Sequence, residues 1–171
     1  MHSFRFTMPI CKTFPVVALA LLISFSAHAG DAAVTELRFR DFFQLPVGPR
    51  GLQPSPQLLA LDGRQVRISG YMAAAETPTA GGFILAPLPV KLGDEDESLA
   101  DDLPASIVHV RLTPSDLVLA PLPGRIWLTG TLQLGQRQEA DGRLSIVHLQ
   151  LDAAQSAALV RLQTSLSARQ P

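Results

Sequence analysis

The stretch from Ser55 to Met72, SPQLLALDGRQVRISGYM, changes its period in the middle, and that change limits what the chain can fold into. Ser55 is a good helix N-cap, Pro56 suits the first helical position, and Leu58, Leu59 and Leu61 supply a small apolar face. Gly63 can take the left-handed conformation that ends a helix. From Gln65 the pattern alternates. Val66, Ile68, Gly70 and Met72 point one way, and Gln65, Arg67, Ser69 and Tyr71 the other, as in a strand with one buried face.

The N-terminus points to export. Arg5 and Lys12 precede an uncharged run from Phe14 to Ala29 that ends in Ala27-His28-Ala29, the form of a secretory signal peptide cleaved after Ala29. Its apolar part, Phe14 to Phe25, is short of the roughly 20 residues a spanning helix needs. Met8 is an alternative start that yields the same mature chain. Cys11, the only cysteine, leaves with the peptide, and no cysteine stands at the cleavage junction for lipidation. The expectation is a periplasmic protein without disulfides and without stable membrane insertion. Removing Arg5 and Lys12 from 14 basic residues leaves 12 against 15 acidic ones, a formal charge of −3. That balance argues against nucleic acid, which needs a concentrated basic face. About 140 residues remain, enough for one domain with a core.

Residues 30–57 read as an N-terminal segment that docks its aromatics, Phe39, Phe42 and Phe43, on the domain, by a short helix from Thr35 and Glu36 or by an alternating LRFR strand. The domain itself spans 58–152. Its strands are expected at Gln65 to Met72, Phe83 to Ala86, Ser106 to Leu112, Arg125 to Gly135 and Leu144 to Leu151. Residues 87–104 carry six carboxylates between Asp94 and Asp102 and read as a mobile excursion without a metal. Thr113-Pro114-Ser115-Asp116 reads as the start of a short helix, Asp141-Gly142 as a turn, and Asp152 as the cap of a last helix over 153–171 with Leu159, Leu162 and Leu166 as its stripe. Five strands with a helix between the third and fourth give an all-β protein with short helices. The order is that of a five-stranded OB-like Greek-key barrel, with a small β-sandwich as the alternative. Gly70 and Gly130, each in mid-strand at an inward position, favour the barrel, because a closed sheet needs strands that coil sharply.

LLALDGRQVRISGYM, FILAP and VHVRL together resemble a family of exported bacterial proteins of unknown function with an L-D-G-x-x-V-x-I-x-G-Y-M signature and a short F-x-L-x-P strand. The likeness runs from Leu58 to Leu112, with weaker support through GRIWLTGTLQLG. It implies a setting in the cell envelope, near transport systems. Relatives often carry a cysteine-containing segment after the F-x-L-x-P strand, and here PLPVKLGDEDESLADDLP has none.

Strand parity gathers Arg67, Tyr71, His109, Arg111, Trp127 and His148 on the outward side. In an OB barrel part of the outer face is a ligand surface, so these six residues are the candidate site for a protein partner in the envelope or for a small anionic ligand. His109 and His148 sit in twin contexts, SIVHVRL and SIVHLQL, but a zinc site needs a third ligand, and none is evident. Calcium at Asp94 to Asp102 lacks the spacing of an EF-hand loop. No metal or cofactor is therefore expected. There is no G-x-S-x-G, H-E-x-x-H, P-loop or G-x-G-x-x-G. The expected function is a non-catalytic binding or adaptor module. A small-ligand or metal-binding periplasmic protein ranks second, and a hydrolase with a non-local histidine site third.

Overall fold

A computed structural model describes residues 34–75, 77–92, 103–139 and 144–169. The expected signal peptide, the acidic run from Asp94 to Asp102 and the Asp141-Gly142 turn lie outside the described residues. The described chain is mostly β, with two α-helices and a six-stranded mixed sheet. Among these residues no helix is long and apolar enough to cross a membrane.

The helix-to-strand switch forms as the sequence dictates. Helix α1, Pro56–Ala60, is capped by Ser55, whose Oγ accepts from the Leu58 amide at 3.0 Å. Leu58 is fully buried and Gly63 has φ +72°, but Leu59 is 55% exposed, because a helix of five residues turns only one face inward. Ser55→Ala should cost about 1 kcal/mol in a denaturant titration, the usual loss for an N-cap. An unchanged midpoint would mean that the cap is dispensable.

Strand β2, Gln65–Met72, is the hub of the sheet. One of its edges pairs antiparallel with β7, Arg125–Gln138, from Gln65↔Thr131 to Tyr71↔Arg125. Its other edge takes β1, Thr35–Leu37, in parallel at Val66 to Ile68, and then β4, Gly82–Ala86, antiparallel at Tyr71 and Met72. Strand β4 pairs antiparallel with β6, Val108–Arg111, and β6 pairs in parallel with β8, Leu144–Gln150. Antiparallel pairing of β8 with β7 brings the sequence of pairings back to β2. Ala74–Ala75 (β3) and Lys91–Leu92 (β5) add a small parallel pair outside this sheet.

Val66, Ile68, Val108, Val110, Leu128, Leu132, Val147 and Leu149 are buried at the alternating positions the sequence assigns to the core. Gly70 and Gly130 are demanded by proximity. A Cβ on Gly70 would lie 2.7 Å from the Ala86 carbonyl oxygen, and one on Gly130 would lie 2.6 Å from that of Gln150.

Three departures have local causes. The N-terminal segment is strand β1 followed by a 3-10 turn over Phe39–Asp41, not a helix, since pairing with β2 satisfies its backbone. Phe39 and Phe42 are buried, with ring centroids 5.3 Å apart, and Phe43 is partly buried against the core. Second, no helix follows Thr113. The Thr113 hydroxyl, which would have capped it, donates to the Leu151 carbonyl at 2.8 Å, and the Thr113 amide donates to Ser156 Oγ. The PLPG run at 121–124 leaves too few residues to offset nucleation. Third, helix α2, Ala153–Ser167, capped by Asp152, buries Ser156 and Leu159 while Leu162 is exposed. Polar anchors at Ser156 and Gln163, the latter accepting from the Ala120 amide, turn it away from a pure leucine stripe.

Candidate functional site

Parallel strands place equivalent residues side by side, and the twin SIVH segments therefore bring the two histidines together. His109 pairs with His148 and Arg111 with Gln150, all on the face opposite the core. The imidazole centroids are 6.0 Å apart.

The group that organises them is Glu139. Strand β7 slips register against β8 between Leu134 and Arg137, where Gly135 takes φ +147°, a region that favours glycine. Beyond the slip, the chain carries Glu139 onto the outer face of β6 and β8. Its carboxylate accepts from Arg111 Nη2 at 3.2 Å on each oxygen and from the Ser145 hydroxyl. The Nδ1 atoms of His109 and His148 each lie 3.8 Å from its Oε1.

The same slip covers His148, whose side chain is 0% exposed. Expected on an open face, His148 is instead an interior residue, roofed by the end of β7. Its Nε2 lies 3.2 Å from the Gly135 carbonyl oxygen, which can only accept, so Nε2 carries the proton in the neutral ring. Nδ1 then presents its lone pair, and it is buried without a hydrogen-bond partner. Burial holds the His148 pKa below its ordinary value, against the Gly135 carbonyl, which raises it. Burial works against ionisation of Glu139. The Ser145 hydroxyl, Arg111 and the two histidines outweigh it and leave its pKa lowered.

His109, Arg111 and Glu139 form the polar end of a cavity of about 410 Å³. Met72, Phe83, Ile84 and Leu119 supply apolar wall, and Pro78 to Gly82 frame it. Thr79, Ser115 and Gln138 add uncharged polar groups to the lining.

The remaining candidates lie elsewhere. Arg67 stacks over Trp127 across the β2–β7 pair, with its guanidinium carbon 4.4 Å from the ring centroid, and Trp127 is 49% exposed. Tyr71, on β2, pairs with Arg125 and Ala86. The six residues thus divide between two parts of the sheet. Glu139, Ser145 and Gly135, which complete the histidine cluster, were not among them.

Ser145, His148 and Glu139 have the residue types of a hydrolytic triad, and Ser145 Oγ lies 3.4 Å from His148 Nε2, but both protons have other acceptors. Ser145 is buried, its hydroxyl donates to the carboxylate itself, and the Nε2 proton of His148 is held by the Gly135 carbonyl. Among the described residues no three His, Cys, Asp or Glu side chains form a group that could hold a metal ion.

No protein-family model matches the chain. No curated protein matches it either. Among solved structures it is similar to the crystal structure of a DUF3299 family protein from Pseudomonas aeruginosa PAO1, with 14% sequence identity and a TM-score of 0.43. The alignment covers 69% of this chain and 92% of that one. This is a distant likeness.

Proposed function

We propose that the protein is an exported, non-catalytic binding module of the periplasm, built on an OB-like barrel, and that a small ligand occupies the cavity beside His109, Arg111 and Glu139. The cavity carries the reading: about 410 Å³, apolar walls, and charged groups confined to one end. The barrel reading is supported by the pairing of β2, β4, β6, β8 and β7 in a ring, because the sheets of a sandwich do not pair back onto each other. The Ala27-His28-Ala29 site motivates export. The commitment of the Ser145 proton to Glu139 favours binding over hydrolysis.

The exposed Arg67–Trp127 pair supports a second reading, an adaptor for an envelope protein, since Trp and Arg are enriched where partners dock. Native mass spectrometry on protein recovered from the periplasm separates the two. The expected spectrum shows a non-covalent adduct of small organic mass that is absent from Ala80→Trp, which puts a bulky side chain on the cavity lining. An adduct-free wild type, together with a protein partner captured by the wild type and lost in Trp127→Ala, would replace the ligand reading with the adaptor.

A further inference from the structure

The charges at the polar end of the cavity select among ligands, on the premise that the cavity is the binding site. Arg111 and Glu139 are the only charged side chains on its wall among the described residues, and they lie against each other. The carboxylate is 18% exposed and its ionised form is held by Arg111 and the Ser145 hydroxyl. An anionic head group drawn to Arg111 would therefore meet Glu139 within the same few ångströms. A cationic head drawn to Glu139 would meet Arg111. In a partly desolvated site such like-charge encounters weigh more than they do in water.

An uncharged head avoids both. Arg111 has five N–H donors, both bonds to Glu139 leave from Nη2 alone, and its side chain is 38% exposed, so donor capacity remains. Glu139 is acceptor-only when ionised, and Arg111 and the Ser145 hydroxyl use three of its roughly four lone-pair sites, which leaves one for a ligand N–H. A primary amide or a similar head, accepting with its carbonyl and donating with its N–H, would meet both without displacing either. The rest of the cavity, from Phe83 and Ile84 to Leu119, asks for an apolar body. We infer that the cavity takes an uncharged amphiphile, an apolar body carrying a head that both accepts and donates hydrogen bonds, docked between Arg111 and Glu139. The anionic ligand expected from the arginines alone is disfavoured because Glu139 already neutralises the one arginine on this wall.

The test uses three probes with one body: 3-phenylpropanamide, 3-phenylpropanoate and 3-phenylpropylammonium, titrated at pH 7.5 into the mature protein and followed by backbone NMR shifts at Phe83, Ile84 and Leu119. The amide should bind at least about tenfold more tightly than either charged probe. In Glu139→Gln, where Arg111 loses its counter-charge, the carboxylate should gain about tenfold while the ammonium gains nothing. Arg111→Gln is the complementary variant, with the gain passing to the ammonium, and it stands in if Glu139→Gln does not fold. Ala80→Trp should lose all three. If the carboxylate or the ammonium binds the wild type as tightly as the amide, with shifts at the same residues, the inference about the head group is wrong and the cavity reading stands. If none of the three probes shifts these residues, both are wrong.

Discussion

Gly70→Val and Gly130→Val each lower the stability of the protein by about 3 kcal/mol, at the upper end of what overpacking a core usually costs. The new Cβ on Gly70 would sit 2.7 Å from the Ala86 carbonyl oxygen and 2.9 Å from side-chain atoms of Leu85 and Phe39. On Gly130 it would sit 2.6 Å from the Gln150 carbonyl oxygen and 3.0 Å from Leu151. In both cases the nearest obstacle is backbone of a neighbouring segment, which cannot rotate away as a side chain can, so the strands must separate. Three kcal/mol in a domain of this size lowers the melting temperature by roughly 10 °C. Ser69→Val, one residue along β2 on the outward side, is the control that changes strand propensity without touching this contact. If Gly70→Val melts with Ser69→Val and the wild type, the close approach at Gly70 does not hold the sheet together.

These two glycines show what kind of information the sequence carried. Each interrupts an otherwise regular alternation, Val66-x-Ile68-x-Gly70-x-Met72 and Ile126-x-Leu128-x-Gly130-x-Leu132, which marks the position as special in sequence; the alternation suggests sharp coiling, and the close approach of a neighbouring carbonyl is visible only in the structure. The same alternation identified the core face of β2, β6, β7 and β8, because a strand with one buried face must repeat every second residue. Ser55 and Gly63 were legible for a similar reason: caps depend on a side chain and the few residues beside it. Thr113 was misread because its hydroxyl bonds to Leu151, and Thr113-Pro114 looks the same from the sequence whether the oxygen caps its own turn or reaches another element.

The histidine cluster lies between these cases. The repeated SIVH drew attention to His109 and His148, and parallel pairing of β6 with β8 then made them neighbours. Glu139 sat in QRQEADG, which reads as a polar loop, and nothing local says that its carboxylate meets Arg111 and Ser145. Nor did parity foretell that His148 would be roofed. Parity places a side chain on the outer face of a strand but is silent on what covers that face, and here the cover depends on a register slip at Gly135. Arg67 and Trp127 share His148's parity, yet His148 stands opposite Gln133, well along β7 from Trp127, and that register is in no single strand's pattern.

Acidification should destabilise the protein in two stages, and replacing His148 should reduce the first. Folded, His148 is neutral and buried, with its pKa below the ordinary 6.5. Above that value neither the folded nor the unfolded chain protonates it, and its full contribution to stability is present. As the pH falls below 6.5 the unfolded chain takes up a proton that the folded chain resists, and stability is lost until the lowered folded value is reached. The slope can approach about 1.4 kcal/mol per pH unit for one such group. Glu139 acts in the same direction but lower on the scale. Its folded pKa lies below the ordinary 4.5, so its stabilisation is complete above that value and disappears as the pH falls through the lowered one. The groups facing the histidine are Glu139, His109, Arg111 and Arg137, and the last two, being cations, oppose its protonation. His148→Gln keeps a side-chain N–H for the Gly135 carbonyl and removes the titration. Denaturant midpoints measured from pH 8 to pH 3.5 should therefore show the wild type losing more stability than the variant from about pH 6.5 downward. Parallel curves for the two proteins through that interval would mean that His148 is not the group whose protonation loosens the end of β7.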